Sequence, residues 1–372
     1  MEAFYLAALL QAQGVGAIAA NRMVAEAGGA ERAWRFPAEL GCLSEEQRSG
    51  LLALVKRRPG LPQLLAEQAE RLGIRAITQA SELYPRELKE IYAPPAVLFY
   101  RGELQPQARR LAIVGSRRLS RYGKSAAQEI ARGLAAAGVT VVSGAARGID
   151  TAAHQGALQE GRTVAVLGCG VDVAYPAENR RLLEEIAATG GAVISEYPPG
   201  TRPNAPFFPA RNRIISGLSA GTVVVEAAEK SGSLITAELA LSEGRDVFAV
   251  PGSIYSATSR GCNRLIQQGA KLVMSAEDVL SEYPWGKAEP APQEGPAGAG
   301  RLSPEERVIW QVLPTLGAGE PPLTVDEIII RLHGSPEAPN VAFLLLQMEL
   351  KGLIEEDENH AYYRANIKED NL

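Results

Sequence analysis

Six apolar runs of strand length recur between residues 111 and 250, each followed by a small-residue turn and a helical pattern. They are LAIVG (111–115), VTVVSG (139–144), TVAVLG (163–168), AVIS (192–195), TVVVE (222–226) and DVFAV (246–250). Runs apolar on both faces belong to a parallel sheet covered by helices on each side, which predicts a Rossmann-like, doubly wound α/β domain. The first crossover segment, AAQEIARGLAAAG, is Ala-rich and ends at Gly138, as a helix with a glycine stop between parallel strands does.

A chain of 372 residues is too long for one ordinary core, and three domains are expected. Residues 1–82 read as short helices, with Gly14 and Gly16 at a turn. That turn is either a plain helix connection in an accessory module or a helix-hairpin-helix-like arrangement with amides facing a phosphate. Residues 83–284 hold the extended Rossmann-like domain, entered through a connection interrupted by Pro85, Pro94 and Pro95. Residues 285–301, WGKAEPAPQEGPAGAGR, read as a linker without fixed structure. Residues 302–368 give three helical patterns and a hairpin, a winged-helix order. No internal repeat at solenoid period is present.

The first residues, MEAFYLAALLQAQG, carry neither a basic signal-peptide start nor an apolar run that spans a bilayer, so a cytoplasmic protein is expected. Cys42, Cys169 and Cys262 lie far apart and fit reduced thiols. His154, His333 and His360 have no ligand spacing, so neither a metal nor a cofactor is expected. The net charge of −5 hides an uneven distribution: residues 1–108 are neutral, 109–275 carry +6 and 276–372 carry −11. A polyanion therefore belongs on the central segment.

Ligands of an open parallel sheet bind beyond the carboxyl ends of its strands. There this sequence places Gly115-Ser116-Arg117-Arg118 after the first run, Ser143-Gly144-Ala145-Ala146-Arg147-Gly148 after the second and Lys230-Ser231-Gly232-Ser233 after the fifth. Glycines admit a close ligand, and helix starts offer free N–H groups, which together make a phosphate cradle. Ser231 and Ser233 serve equally as N-caps. Phe207-Phe208-Pro209-Ala210-Arg211-Asn212-Arg213 combines aromatics and arginines, suited to clamping phosphates and stacking bases; the alternative is core aromatics beside a solvated helix face.

Two nucleotide motifs are narrowly missed. Arg121-Tyr122-Gly123-Lys124-Ser125 ends like a P-loop but has Arg118 where the first glycine belongs, and the first turn is not G-x-G-x-x-G. His154 in TAAHQGAL has no serine and aspartate at legible spacing. Glu196 and Glu226 form either a carboxylate pair or, more simply, caps and arginine partners. No catalytic residue emerges: nothing in the sequence stands out as required for a hydrolytic mechanism.

The longest of these segments, IVGSRRLSRYGKSAAQEIARGLAAAGVTVVSGAARGIDTAAHQGAL, together with GCGVDVAYPAENRRL, ISEYPPG, FPARNRIISGLS, VVVEAAEKSGSLITAELALSEGRDVFAVPG and RGCNRLIQQGA, closely resembles the DprA/Smf family of bacterial transformation and recombination. The flanks look like that family's variable parts, a SAM-like helical module in front and a winged helix behind.

The resemblance implies a binding protein rather than an enzyme, a homodimer that holds and protects incoming single-stranded DNA and helps load the RecA recombinase onto it. It implies DNA contacts at Gly115, Ser116, Arg117, Ser143, Gly144, Arg147, Gly148, Phe208, Arg211, Asn212, Arg213, Lys230, Ser231, Gly232 and Ser233. It departs at Ala210, where relatives often carry a basic residue, so that contact is either missing or replaced by Arg202. The enzyme alternative, a phosphoribohydrolase-like nucleotide hydrolase, expects PGG-x-GT-x-x-E; this chain offers Pro251-Gly252-Ser253 without that continuation. The last helix, VAFLLLQMELKGLIEED, has one lysine and is otherwise largely apolar or acidic, so it is expected to meet protein rather than duplex DNA.

Overall fold

The computed structural model describes residues 1–286, 303–315, 321–332, 340–351, 353–357 and 360–365. Contacts divide the chain into two compact units, Met1–Gly286 and Lys287–Leu372.

The first unit begins with five helices, α1 (Glu2–Leu9), α2 (Ala17–Ala27), α3 (Ala30–Arg35), α4 (Glu45–Arg57) and α5 (Leu61–Arg71). They lead into β1 (Arg75–Thr78), α6 (Arg86–Lys89) and β2 (Val97–Gly102). The expected runs then appear as β3 (Arg110–Val114), β4 (Thr140–Ser143), β5 (Thr163–Val166), β6 (Ala192–Ser195), β7 (Gly221–Val224) and β8 (Asp246–Ala249). Between them stand α7 (Arg121–Ala136), α8 (Ile149–Ala157), α9 (Arg180–Ala188), α10 (Phe207–Gly217) and α11 (Gly232–Ser242), and α12 (Arg260–Gln267), β9 (Lys271–Leu272) and α13 (Ala276–Leu280) follow.

All nine strands form one sheet in the order β1-β2-β6-β5-β4-β3-β7-β8-β9. From β6 to β9 every pairing is parallel, whereas β1–β2 and β2–β6 are antiparallel. Strand β3 pairs with β4 on one side and β7 on the other, so the winding reverses between β3 and β7 and opens a crevice at their carboxyl ends.

Two regions differ from expectation. The segment read as a proline-interrupted connection contains β2, whose Val97, Leu98, Phe99 and Tyr100 are buried. Pro94 and Pro95 precede that strand and so remove no ladder donor from it. The expected division after residue 82 also leaves β1 on the N-terminal side, although β1 pairs with β2 through Ala76 and Phe99. Leu6, Met23, Trp34 and Leu51 share one continuous core with Phe99, Ala165 and Val193 of the sheet.

In the second unit, α14 (Pro304–Val312), β10 (Leu323–Thr324), α15 (Val325–Arg331), α16 (Val341–Leu350), β11 (Ile354–Glu356) and β12 (Ala361–Arg364) form three helices and an antiparallel sheet ordered β10-β12-β11. Ile309, Ile328, Leu345 and Met348 lie in its core. Most of the expected linker 285–301, and His333, fall outside the described residues. Among those described, no helix is long and apolar enough to cross a membrane.

Candidate nucleic-acid interface

At the β3/β7 reversal lies an open cleft of about 820 Å³, lined by Gly115, Ser116, Arg117, Arg118, Phe208, Arg211, Asn212, Ser231, Gly232 and Ser233 among others. A smaller hollow of about 370 Å³, bounded by Gly144, Arg147, Tyr175 and Glu178, shares Arg117, Phe208 and Arg211 with it. Tertiary folding thus brings three loops far apart in sequence to one sheet edge.

The cleft wall after β3 is a small hydrogen-bonded turn. Ser116 Oγ donates to the Arg118 carbonyl at 2.7 Å and accepts from the Arg118 N–H at 3.1 Å. The turn is pinned to β7's end, where the Ser116 N–H donates to the Glu226 carbonyl at 2.7 Å. The turn leaves the Arg117 and Arg118 side chains exposed. The Arg117 guanidinium carbon lies 5.8 Å from the Phe208 ring centre, and Phe208 packs at 5.2 Å against Tyr175.

Helix α10 opens with the FFPARNR segment, so these residues are presented on helix faces rather than on a loop. At 3.6 residues per turn, Phe208, Arg211, Asn212 and Ile215 share one face, and all four line the cleft. Arg213, two residues beyond Arg211, lies about 200° around the axis and points elsewhere. It grips Glu196 with both terminal nitrogens at 2.8 Å and donates from Nε to the Ala93 carbonyl at 2.9 Å. Of the sequence readings of Glu196, a carboxylate pair or more simply a cap or arginine partner, the arginine partner is the one observed.

Arg211 is only 4% exposed. Its Nη1 donates to the Gly144 carbonyl at 2.6 Å and also to the Val166 carbonyl. A Cβ at position 144 would overlap the guanidinium, so Gly144 makes room for Arg211 and not directly for a ligand. Burial lowers the Arg211 pKa below the usual arginine range, opposed by the neighbouring Asp150 carboxylate. Burial in turn raises Asp150, with Arg211 pulling it back. His154, also fully buried, is held down to about 3 by desolvation and then by Arg211.

The remaining expected residues divide similarly. Ser143 is buried, donating to the Ile113 carbonyl at 2.6 Å. Gly148 is the N-cap of α8 at φ +87°, and Arg147 pairs with Glu178 on the surface. Ser231 caps α11, accepting from the Ser233 N–H at 3.4 Å, with the two hydroxyls 2.7 Å apart. Lys230 is exposed on the turn before it.

The P-loop-like segment has a different logic. Ser120 caps α7, and the buried Glu226 carboxylate accepts from its N–H at 2.9 Å and its hydroxyl at 2.7 Å. A side chain at Gly123 would collide with that carboxylate. The anion site at this helix start is thus filled by the protein itself. Burial raises Cys169 to about 11 and Cys262 to about 12, which leaves both thiols protonated at neutral pH. Gly252 of the Pro-Gly-Ser segment is clamped by Asn263, whose side chain pairs with its N–H at 3.1 Å and its carbonyl at 3.0 Å. Among the described residues, no group of three His, Cys, Asp or Glu side chains is placed to hold a metal ion.

Residues 75–284, which contain every element of the cleft, match the family described as DNA recombination-mediator protein A. The chain belongs to the DprA/Smf family. It is 52% identical to DNA processing protein DprA of Streptococcus pneumoniae over 204 residues, 54% of this chain and 72% of that one. Protein Smf of Synechocystis is 35% identical and is covered almost throughout, 98% of this chain against 99% of that one. Among solved structures, DprA from Streptococcus pneumoniae superposes with a TM-score of 0.63 at 39% identity, covering 75% of this chain and 98% of that one. DprA from Helicobacter pylori, whose structure is described for its single-stranded DNA binding mode, gives 0.51 at 30% identity, covering 56% and 94%. In this DprA/Smf chain the cleft also takes in Arg118, named from sequence with its turn but not among the expected contacts, and Tyr175, not singled out at all. Both lie in segments that carry the resemblance, Arg118 directly after Arg117, but their position at the cleft depends on how the loops meet.

Proposed function

We propose that this chain binds single-stranded DNA in the β3/β7 cleft without sequence preference and mediates recombination of DNA taken up in transformation. One observation carries the proposal: Arg117 stands exposed over the Phe208 ring at the mouth of a switch-point cleft, with no carboxylate within 4 Å among the described residues. A cation paired with an aromatic face suits alternating phosphates and bases, and the Helicobacter pylori relative is described as binding single-stranded DNA. Arg118, Asn212, Lys230 and the α11 start with Ser231, Gly232 and Ser233 complete the phosphate-facing set. Ser143, Gly144, Gly148, Arg211 and Arg213 support it from beneath or behind.

In this reading the role is that of a cytoplasmic binding protein rather than an enzyme, and the buried His154 is not among the residues that line the cleft. It acts as a homodimer that protects the strand and loads RecA. The second unit has the helix and strand order of a winged helix, and Phe343 and Leu346 on α16 are exposed, which favours protein contacts there over duplex DNA.

Fluorescence anisotropy of a labelled oligothymidine across a salt series tests the binding reading. Affinity falls steeply with salt, single strand is preferred to duplex, and Arg117→Ala weakens binding. Salt-insensitive binding, or an affinity unchanged by that substitution, overturns it.

A further inference from the structure

Resting on the single-strand reading above, we propose that the nucleic-acid track continues past the cleft, over a second stacking platform made by Tyr122 and Tyr255 and flanked by Arg118, Arg121 and Arg260. Topology puts these residues on one edge. Strand β8 lies parallel beside β7, so the segment after β8 emerges at the same sheet edge as the cleft, one strand further from the switch point.

The tip of that segment displays Ile254 at 71% and Tyr255 at 90% exposure. The display is built: the Tyr255 N–H donates to Ser253 Oγ at 3.3 Å, and the Ser256 and Thr258 hydroxyls lie 3.0 Å apart. The tip is also fastened to the cleft wall. Glu226, which holds Ser120 at the start of α7, also accepts from Thr258 Oγ1 at 3.2 Å, on the same Oε1 that takes the Ser120 hydroxyl. Tyr122, in the first turn of α7, donates its hydroxyl to the Pro251 carbonyl at 2.8 Å while its ring remains half exposed.

Charge identifies the occupant. Arg118, Arg121 and Arg260 are exposed, and among the described residues none has a carboxylate within 4 Å. Glu226 is buried against Ser120 and Thr258 and forms an ion pair with none of the three. Exposed rings and exposed guanidinium groups on one sheet edge fit a strand whose bases stack while its phosphates pair; a free anion makes no use of the rings.

The test uses the full chain and oligothymidines of about 6 and about 16 nucleotides, lengths bracketing one single-strand site. Wild type gains affinity with length. In Tyr255→Ala that gain falls about tenfold, the loss of one stacked base, while Tyr255→Trp keeps it. With 5-iodouracil placed along the longer strand, irradiation yields adducts on Tyr122 or Tyr255. An unchanged gain in Tyr255→Ala, or adducts confined to cleft residues, overturns the platform and leaves the tip to a protein contact. Failure of wild type to bind either length is a different result and overturns the single-strand reading itself.

Discussion

The Arg211 guanidinium lies against Gly144 and donates to its carbonyl at 2.6 Å, joining α10 to the ends of β4 and β5 beneath the cleft. Gly144→Ala places a methyl group where the guanidinium sits. We expect a loss of about 1–3 kcal/mol, as for other overpacked sites, seen calorimetrically as a lower Tm. Single-strand affinity falls with it, because the cleft floor moves. A Tm equal to wild type would show that Arg211 swings aside freely.

Arginines that look equivalent in sequence separate by mutation. Arg117→Ala leaves Tm unchanged and lowers the slope of log affinity against log salt by about one, the signature of one lost phosphate contact. Arg213→Ala instead strands Glu196, itself mostly buried, and costs about 3 kcal/mol of stability. Thermal melts and salt titrations of both variants distinguish the roles; an Arg213→Ala protein of wild-type Tm contradicts the assignment.

His154 makes stability fall on acidification. Thr163 Oγ1 donates to the Val141 carbonyl at 2.7 Å, so it accepts from His154 Nδ1 at 2.7 Å, and the buried Nε2 has no partner. The folded imidazole titrates at about 3 against an ordinary value of 6.5. Below 6.5 the unfolded chain therefore binds the extra proton, and its contribution to stability declines by about 1.4 kcal/mol per pH unit until the pH approaches the folded value. Asp150, shifted upward by burial, acts with the opposite sign: its contribution is complete below 3.8 and is lost as pH rises through its folded value. Denaturant unfolding between pH 6.5 and 4.5 shows a shallower pH dependence for His154→Gln than for wild type, whatever the variant's absolute stability. Parallel curves would rule the buried imidazole out as the source.

The boundary between the two units offers a deletion test. Every cleft residue lies within Met1–Gly286, so a chain ending at Gly286 retains wild-type affinity for oligothymidine in the same anisotropy assay. A large loss on truncation would assign DNA contacts to the second unit.

The local patterns were legible for definite reasons. The six buried runs read as strands because a parallel sheet covered on both faces needs no polar alternation, and Ser231 read as a cap because its hydroxyl follows the turn before an apolar helix. Strand β2 was hidden by the prolines before it, and β1 and β9 by their brevity. The N-terminal helices gave no sign that Leu6 and Met23 would share a core with Phe99, since that depends on packing and not on period.

For the Arg117 turn and the FPARNR segment, the sequence by itself determined a basic, glycine-rich carboxyl edge on a parallel sheet, because strand period and turn chemistry are local properties. Only the tertiary structure decided which cations stay free. Arg211 and Arg213, two positions apart on α10, face directions about 200° apart, so one is spent on strand carbonyls and the other on Glu196. Arg117 has no such acceptor within reach among the described residues and remains exposed over Phe208. Burial and partnership are set by which strands and loops meet in space, and residue spacing along the chain does not encode them.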